Sequence, residues 1–297
     1  MTQLLNALPG ALAQGLIWGV MAIGVYITYK VLDIADLTVD GSICTGAAVC
    51  TMLLLGGQSP WLALLCAVLA GVLAGAVTGL LHVGLGIPPI LAGILTQMVL
   101  WSVNLKLLGK ANQALPARTT PVLLSQMDVG GALPVLLGFC VVLVALLVLF
   151  FGTELGCALR ATGCNPVMSR AQGVNTGLMK VIGLALSNGV VALSGALLCQ
   201  YQGYTDVNMG RGAVVIGQAV LGRRGGRMAV QLGGVILGAV IYYIVYQVII
   251  FAGFDTDLLK MFSAVVVAVF LGAPHVKAQL KAHSRSKKGD SGHAKNE

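Results

Sequence analysis

Residues 61–82 read WLALLCAVLAGVLAGAVTGLLH, twenty-two positions without one charged side chain. As a helix rising about 1.5 Å per residue, the stretch covers roughly 33 Å, enough to cross a hydrocarbon core of about 30 Å. Its apolar residues are continuous, where a membrane barrel strand would alternate. Comparable blocks occupy 11–29, 41–56, 87–108, 134–152, 178–200, 228–252 and 257–273, with a shorter one at 212–222. The expected fold is an all-α, polytopic membrane bundle of about eight long transmembrane helices plus one short or broken helix, filling 1–274 as one domain. Only the loops near 109–133 and 153–177 are long.

Composition agrees. Charged residues make up 9% of the chain and apolar residues 57%, against about a quarter charged in soluble domains, and mean hydropathy is +0.91. An ordinary soluble domain is excluded. Glycine supplies 40 of 297 residues, which suits helices that must pack closely because lipid removes the usual hydrophobic drive to associate. Gly71, Gly75 and Gly79 recur every four residues and form one smooth stripe; Gly15/Gly19 and Gly234/Gly238 repeat the spacing. Such a stripe serves helix contacts inside one subunit, or a seam that slides or joins two copies.

The first fourteen residues carry no Lys or Arg, so a cleavable signal peptide is not expected. The seven cysteines are scattered without a C-x-x-C pair, and are expected as packing residues rather than disulfides or metal ligands. Six of the eighteen basic residues fall in 275–297, against two of the ten acids. This basic tail is expected to be disordered and cytosolic by the positive-inside rule, and not a nucleic-acid arm. Arg160, Arg170 and Lys180, and then Arg223, Arg224 and Arg227, mark two further cytosolic loops; counting back five spans puts the N-terminus outside. Element 212–222 either completes a crossing or sits in a broken helix.

The 153–177 loop predicts two short helices. Thr153 is a good N-cap followed by an acid, and Gly163 can end the first helix. Asn165 caps the second, Pro166 takes its first position, and Gly173 is a left-handed stop after about seven residues. A short capped helix across the ends of membrane helices can receive force from a separate motor; otherwise it is an ordinary interfacial loop.

Glu154-Leu155-Gly156, Leu159-Arg160-Ala161, Gly163, Asn165-Pro166, Ala171, Gly173 and Val174-Asn175 together resemble the cytoplasmic coupling loop of bacterial permeases of the branched-chain amino acid and ribose type. The stretch Ala35-Asp36-Leu37-Thr38-Val39-Asp40-Gly41-Ser42, followed by Thr45, Gly46, Ala47 and Ala48, resembles the tryptophan/tyrosine branch associated with aromatic amino acid uptake. The likeness covers nearly the whole chain. Cys157 and Cys164 fall outside any motif, and the Arg223–Arg227 loop is more basic than the pattern requires.

This resemblance implies an ATP-binding-cassette importer in the bacterial cytoplasmic membrane. It implies a permease homodimer, two cytosolic ATPase subunits carrying ATP and Mg, and an extracytoplasmic solute-binding protein. The docking residues would be Glu154, Gly156, Arg160, Ala161, Gly163, Asn165, Pro166, Arg170, Gly173 and Asn175. No G-x-x-x-x-G-K-[ST] loop occurs, so ATP hydrolysis has to come from a partner, and no cofactor is expected on this chain.

Polar residues at membrane depth are expensive and mark candidate pathways. Asp40 before the second span reads as a helix N-cap or a contact for a substrate ammonium. Ser42 and Thr45 face a pathway or bond to the preceding turn. Thr96, Gln97 and Asn104, with Asn188 and Gln200, supply interhelical bonds or a lining for a polar solute; Gln97 and Asn104 share one helix face. Asn208 and Arg211 precede the short element, whose N-terminus could meet a carboxylate. His82 reads as a polar interface residue. A nucleoside or sugar solute remains open, as does an ion-coupled carrier. That carrier would need buried acids or bases; Asp33 and Asp36 are expected in a loop, and Asp255 and Asp257 between the last two spans. An intramembrane enzyme would need a paired acid, Ser/His or metal constellation, and the four histidines form none.

Overall fold

The computed structural model describes residues 2–116, 120–210 and 227–251. The chain divides into two compact units, Met1–Val248 and Ile249–Glu297; of the second, only the end of one helix is described. Expectations for 212–222, 257–273, Arg211, Arg223, Arg224, Asp255, Asp257 and the basic tail lie outside the described residues.

Each remaining apolar block is a helix: α1 Thr2–Tyr26, continued by a π-helical turn Ile27–Val31; α2 Val39–Leu55; α3 Pro60–Gly84; α4 Pro89–Leu108; α5 Val129–Gly152; α8 Thr176–Gln202; and α9 Met228–Phe251. Between them stand α6 Glu154–Cys164 and α7 Pro166–Ala171. Six of the long helices are apolar and long enough to cross a membrane, and α2 is a shorter apolar helix. Two starts fall earlier than hydropathy predicts. α1 begins at Thr2, and α5 begins at Val129 because the Asp128 carboxylate accepts from the Gly131 N–H at 3.0 Å. The long 109–133 loop holds a strand, β1 Asn112–Ala114, paired antiparallel with β2 Tyr204–Asp206, which adds a two-stranded ribbon to the all-α plan.

The long helices alternate in direction from α1 to α8, and α9 starts at the same end as α8. β1 and β2 follow α4 and α8 at one end of the bundle. At the other, the end of α1, the hairpin α6–α7, the end of α3 and the starts of α8 and α9 come together: Val31 meets Gly163, His82 meets Lys180, and Lys30, Arg160 and Met228 line one pocket.

α8 is the central post. It and α1 are buried over 72% of their spanning windows, against 22% for α4 at the rim. The glycine stripe of α3 faces α8: a Cβ on Gly71 would stand 2.4 Å from the Asn188 carbonyl oxygen, on Gly75 2.2 Å from that of Leu184, and on Gly79 2.8 Å from Cα of Val181. The stripe is therefore a contact inside one chain. Gly15 and Gly19 do the same against Val240 and Ile236 of α9, whereas Gly234 meets nothing within 4 Å. All seven cysteines are free thiols.

Candidate functional site

The connection between α1 and α2 is not a surface loop. Asp33 takes a positive φ of 55°, which reverses the chain after the π-helical turn, and the Ile34 N–H returns to the Thr28 carbonyl at 2.9 Å. From there the backbone re-enters the bundle in extended form, burying Ile34, Asp36 and Thr38 at every second position. Asp36 is 5% exposed. One carboxylate oxygen accepts from the Thr38 N–H at 2.8 Å and the other from Nδ2 of Asn188 at 2.7 Å, in the middle of α8. Ser42 Oγ donates to Oδ1 of the same amide at 2.6 Å. Beside them runs a hydroxyl chain, Thr38 to Thr78 at 2.8 Å and Thr78 to Thr96 at 3.0 Å, ending on the Ala92 carbonyl. Among the described residues no cation pairs with Asp36. Asp36 does lie in the connection between spans, as expected; what the sequence reading missed is the burial of that connection. Its signal was the period-two alternation of Ile34, Asp36 and Thr38 within a connection too short and too apolar to leave the bundle.

Next to this network lies a cavity of about 790 Å³ between α2, α4 and the residues after β2. Asp40 and Gly41 of α2, Gln97, Trp101, Ser102 and Asn104 of α4, and Asn208 line it. Met98 and Val99 also line it and are 65% and 61% exposed, so it opens along the outer face of α4. Asp40 is not the N-cap: α2 starts one residue before it, Thr38 occupies the cap position, and the Asp40 carboxylate sits in the first turn, where the helix dipole favours an anion. Asn104 is 1% exposed, and neither atom of its amide has a partner among the described residues.

Other candidates are spent on structure. Ser42 and Asn188 hold each other, Thr45 Oγ1 donates to the Gly41 carbonyl at 2.9 Å, and Thr96 belongs to the hydroxyl chain. Gln200 lies near the β1–β2 end, where Oε1 accepts from the Leu123 N–H at 3.0 Å and Nε2 contacts Cys50.

At the opposite end the hairpin is built by its caps. Thr153 Oγ1 accepts from the Gly156 N–H, Asn165 Oδ1 from Met168 N–H at 3.0 Å, and Asn175 Oδ1, starting α8, from Leu178 N–H at 3.1 Å. Gly173 is left-handed at φ 85°, after a helix of six residues. Gly163 does not end α6, which runs on to Cys164. The reason for glycine there is tertiary: a Cβ would stand 1.9 Å from the Val31 carbonyl oxygen, so α6 rests directly on the π-helical turn of α1. Arg160 donates to the Phe151 carbonyl and Arg170 to Thr176 Oγ1, each at 3.1 Å. Glu154 and Ala161 are exposed, as are Leu155, Val167 and Met168, the last three at 51, 78 and 58%. His82 bridges Lys180 and the Ile87 carbonyl, as an interface residue would.

Residues 8–273 match the family of branched-chain amino acid transport system permease components. The chain belongs to this permease family. It is a membrane transport component and not an enzyme. A tyrosine transport system permease protein of Clostridioides difficile is 37% identical over 93% of this permease and 94% of its own length. An uncharacterised protein of Rickettsia prowazekii is 33% identical over 91% and 98%. An autoinducer 2 import system permease protein of Escherichia coli is 30% identical over 69% of this permease and 60% of its own length. No solved structure matches.

Proposed function

We propose that this permease is the membrane-spanning subunit of an ATP-binding-cassette importer for an amino acid, aromatic or branched-chain, in the bacterial cytoplasmic membrane. The α6–α7 end faces the cytosol, in keeping with Lys30, Arg160, Arg170, Lys180 and Arg227 at that end. Two copies form the channel, two ATPase subunits carrying ATP and Mg dock on the hairpins, and an external binding protein delivers the solute.

One observation carries the reading. The exposed hairpin rests through Gly163 on Val31, and only the 32–39 segment separates that turn from Asp40 and Gly41 in the cavity wall. Force applied to α6 thus has a short covalent path to the cavity. The solute assignment draws on Trp101, Asp40 and the amides of the cavity, together with the tyrosine transport relative. The autoinducer 2 relative favours a second reading, a polyhydroxylated solute; competition of labelled tyrosine uptake by amino acids or by sugars separates the two.

The purified permease should bring down the ATPase encoded beside it. Arg160→Glu, and Gly173→Pro, which cannot reach φ 85°, should lose it while remaining monodisperse. If no ATPase associates with the wild type, an ion-coupled carrier built on Asp36 becomes the leading reading. For the cavity, Asn104→Leu removes an unpartnered buried amide and should stabilise the protein by about 1 kcal/mol in thermal melts while cutting solute uptake at least about tenfold. Lost stability would mean that the amide holds the fold instead of the solute.

A further inference from the structure

At the α6–α7 end, the last turn of α1, α6 and the first turn of α9 enclose a second pocket of about 200 Å³. Lys30 and Arg160 both line it, with Tyr26 and Gln231, which hydrogen-bond to each other across α1 and α9. No carboxylate is among its lining residues in the described part of the chain. Lys30 is half-buried and has no hydrogen-bond or ion-pair partner among the described residues. Among the described residues Arg160 spends only one nitrogen, Nη2, on the Phe151 carbonyl and Cys157 Sγ. Arg227, just before α9, adds a third, exposed cation at this end. Two like charges in one small pocket repel unless an anion joins them. A tetrahedral phosphate suits a lysine point charge and a forked guanidinium together, and the volume has room for a phosphate with a short ester arm. The pocket also stands where the span Leu8–Val31 ends, which is the depth of lipid headgroups.

We infer that this pocket binds a phosphate group of net negative charge, presented by an acidic phospholipid or as a free phosphate ester. Bound there, it bridges α1, α6 and α9 directly beneath the hairpin. The site is independent of the transported solute.

The test uses the full-length permease, offered equal amounts of phosphatidylglycerol and phosphatidylcholine and examined by native mass spectrometry; a parallel thermal melt in detergent receives inorganic phosphate. Wild type should retain phosphatidylglycerol at least about fivefold over phosphatidylcholine, roughly the effect of one basic residue at a membrane surface. Lys30→Gln and Arg160→Gln should each lose that preference. Lys30→Arg should keep it, and Lys106→Gln, at the other end of the bundle, should not affect it. A melting shift with inorganic phosphate in wild type but not in Lys30→Gln, without lipid preference, would assign the pocket to a free phosphate ester. Equal retention of both lipids with no phosphate effect would overturn the inference, as would the same loss in Lys106→Gln as in Lys30→Gln.

Discussion

Valine at Gly75 should abolish the folded permease. A Cβ at this position would lie 2.2 Å from the Leu184 carbonyl oxygen and 2.7 Å from its carbon. These are backbone atoms at the centre of two long helices, so no rotamer change relieves the clash. α3 would have to move off α8, and the contacts of Gly71 and Gly79 would go with it. Overpacking of a core ordinarily costs about 1–3 kcal/mol; here the loss should reach at least ~3 kcal/mol, because the whole seam is built on backbone approach. Expression followed by size exclusion and a thermal melt reads the effect. Gly75→Ala should already lower the melting temperature, while Gly84→Val, with open space around it, should not. A monodisperse Gly75→Val protein with wild-type melting would refute the seam.

The second large effect is expected at Asp36. Asp36→Leu removes the acceptor for the Thr38 N–H and for Nδ2 of Asn188 inside a site with 5% exposure. Each stranded buried donor costs about 1–3 kcal/mol; Asn188 keeps its bond to the Leu184 carbonyl, so the combined loss should be about 2–4 kcal/mol. The double variant Asp36→Leu/Asn188→Leu should lose less than the sum of the two single variants, since it deletes both partners at once. Strict additivity in denaturant or thermal melts would mean the two side chains are not coupled. Uptake should fall in both single variants, because the extended segment that links the hairpin to the cavity is held in place by this carboxylate.

Comparing particular residues shows where sequence reading stops. The caps at Thr153 and Asn165 and the left-handed Gly173 were legible, since each is satisfied within a few residues of itself. Gly163 was misjudged as a helix stop, because its reason for being glycine is Val31, more than a hundred residues earlier. Asp40 was misjudged as a cap by two positions, since Thr38 begins the helix only once Asp36 has anchored the segment before it. For Ser42, Asn188 and Gln200 bonding and a pathway role were both open, and the structure shows them bonded to other side chains or to backbone, whereas Gln97, Asn104 and Asn208 line one cavity.

Which of the described stretches form membrane helices follows from composition, because the hydrocarbon imposes the same length and the same demand for internal hydrogen bonds on every span. Lipid is equally indifferent to which faces of those helices meet. The burial of Asp36, the pairing of 112–114 with 204–206 and the orphaned amide of Asn104 emerge only when α2, α4 and α8 are packed, since a buried polar atom is satisfied or stranded by neighbours remote in the chain.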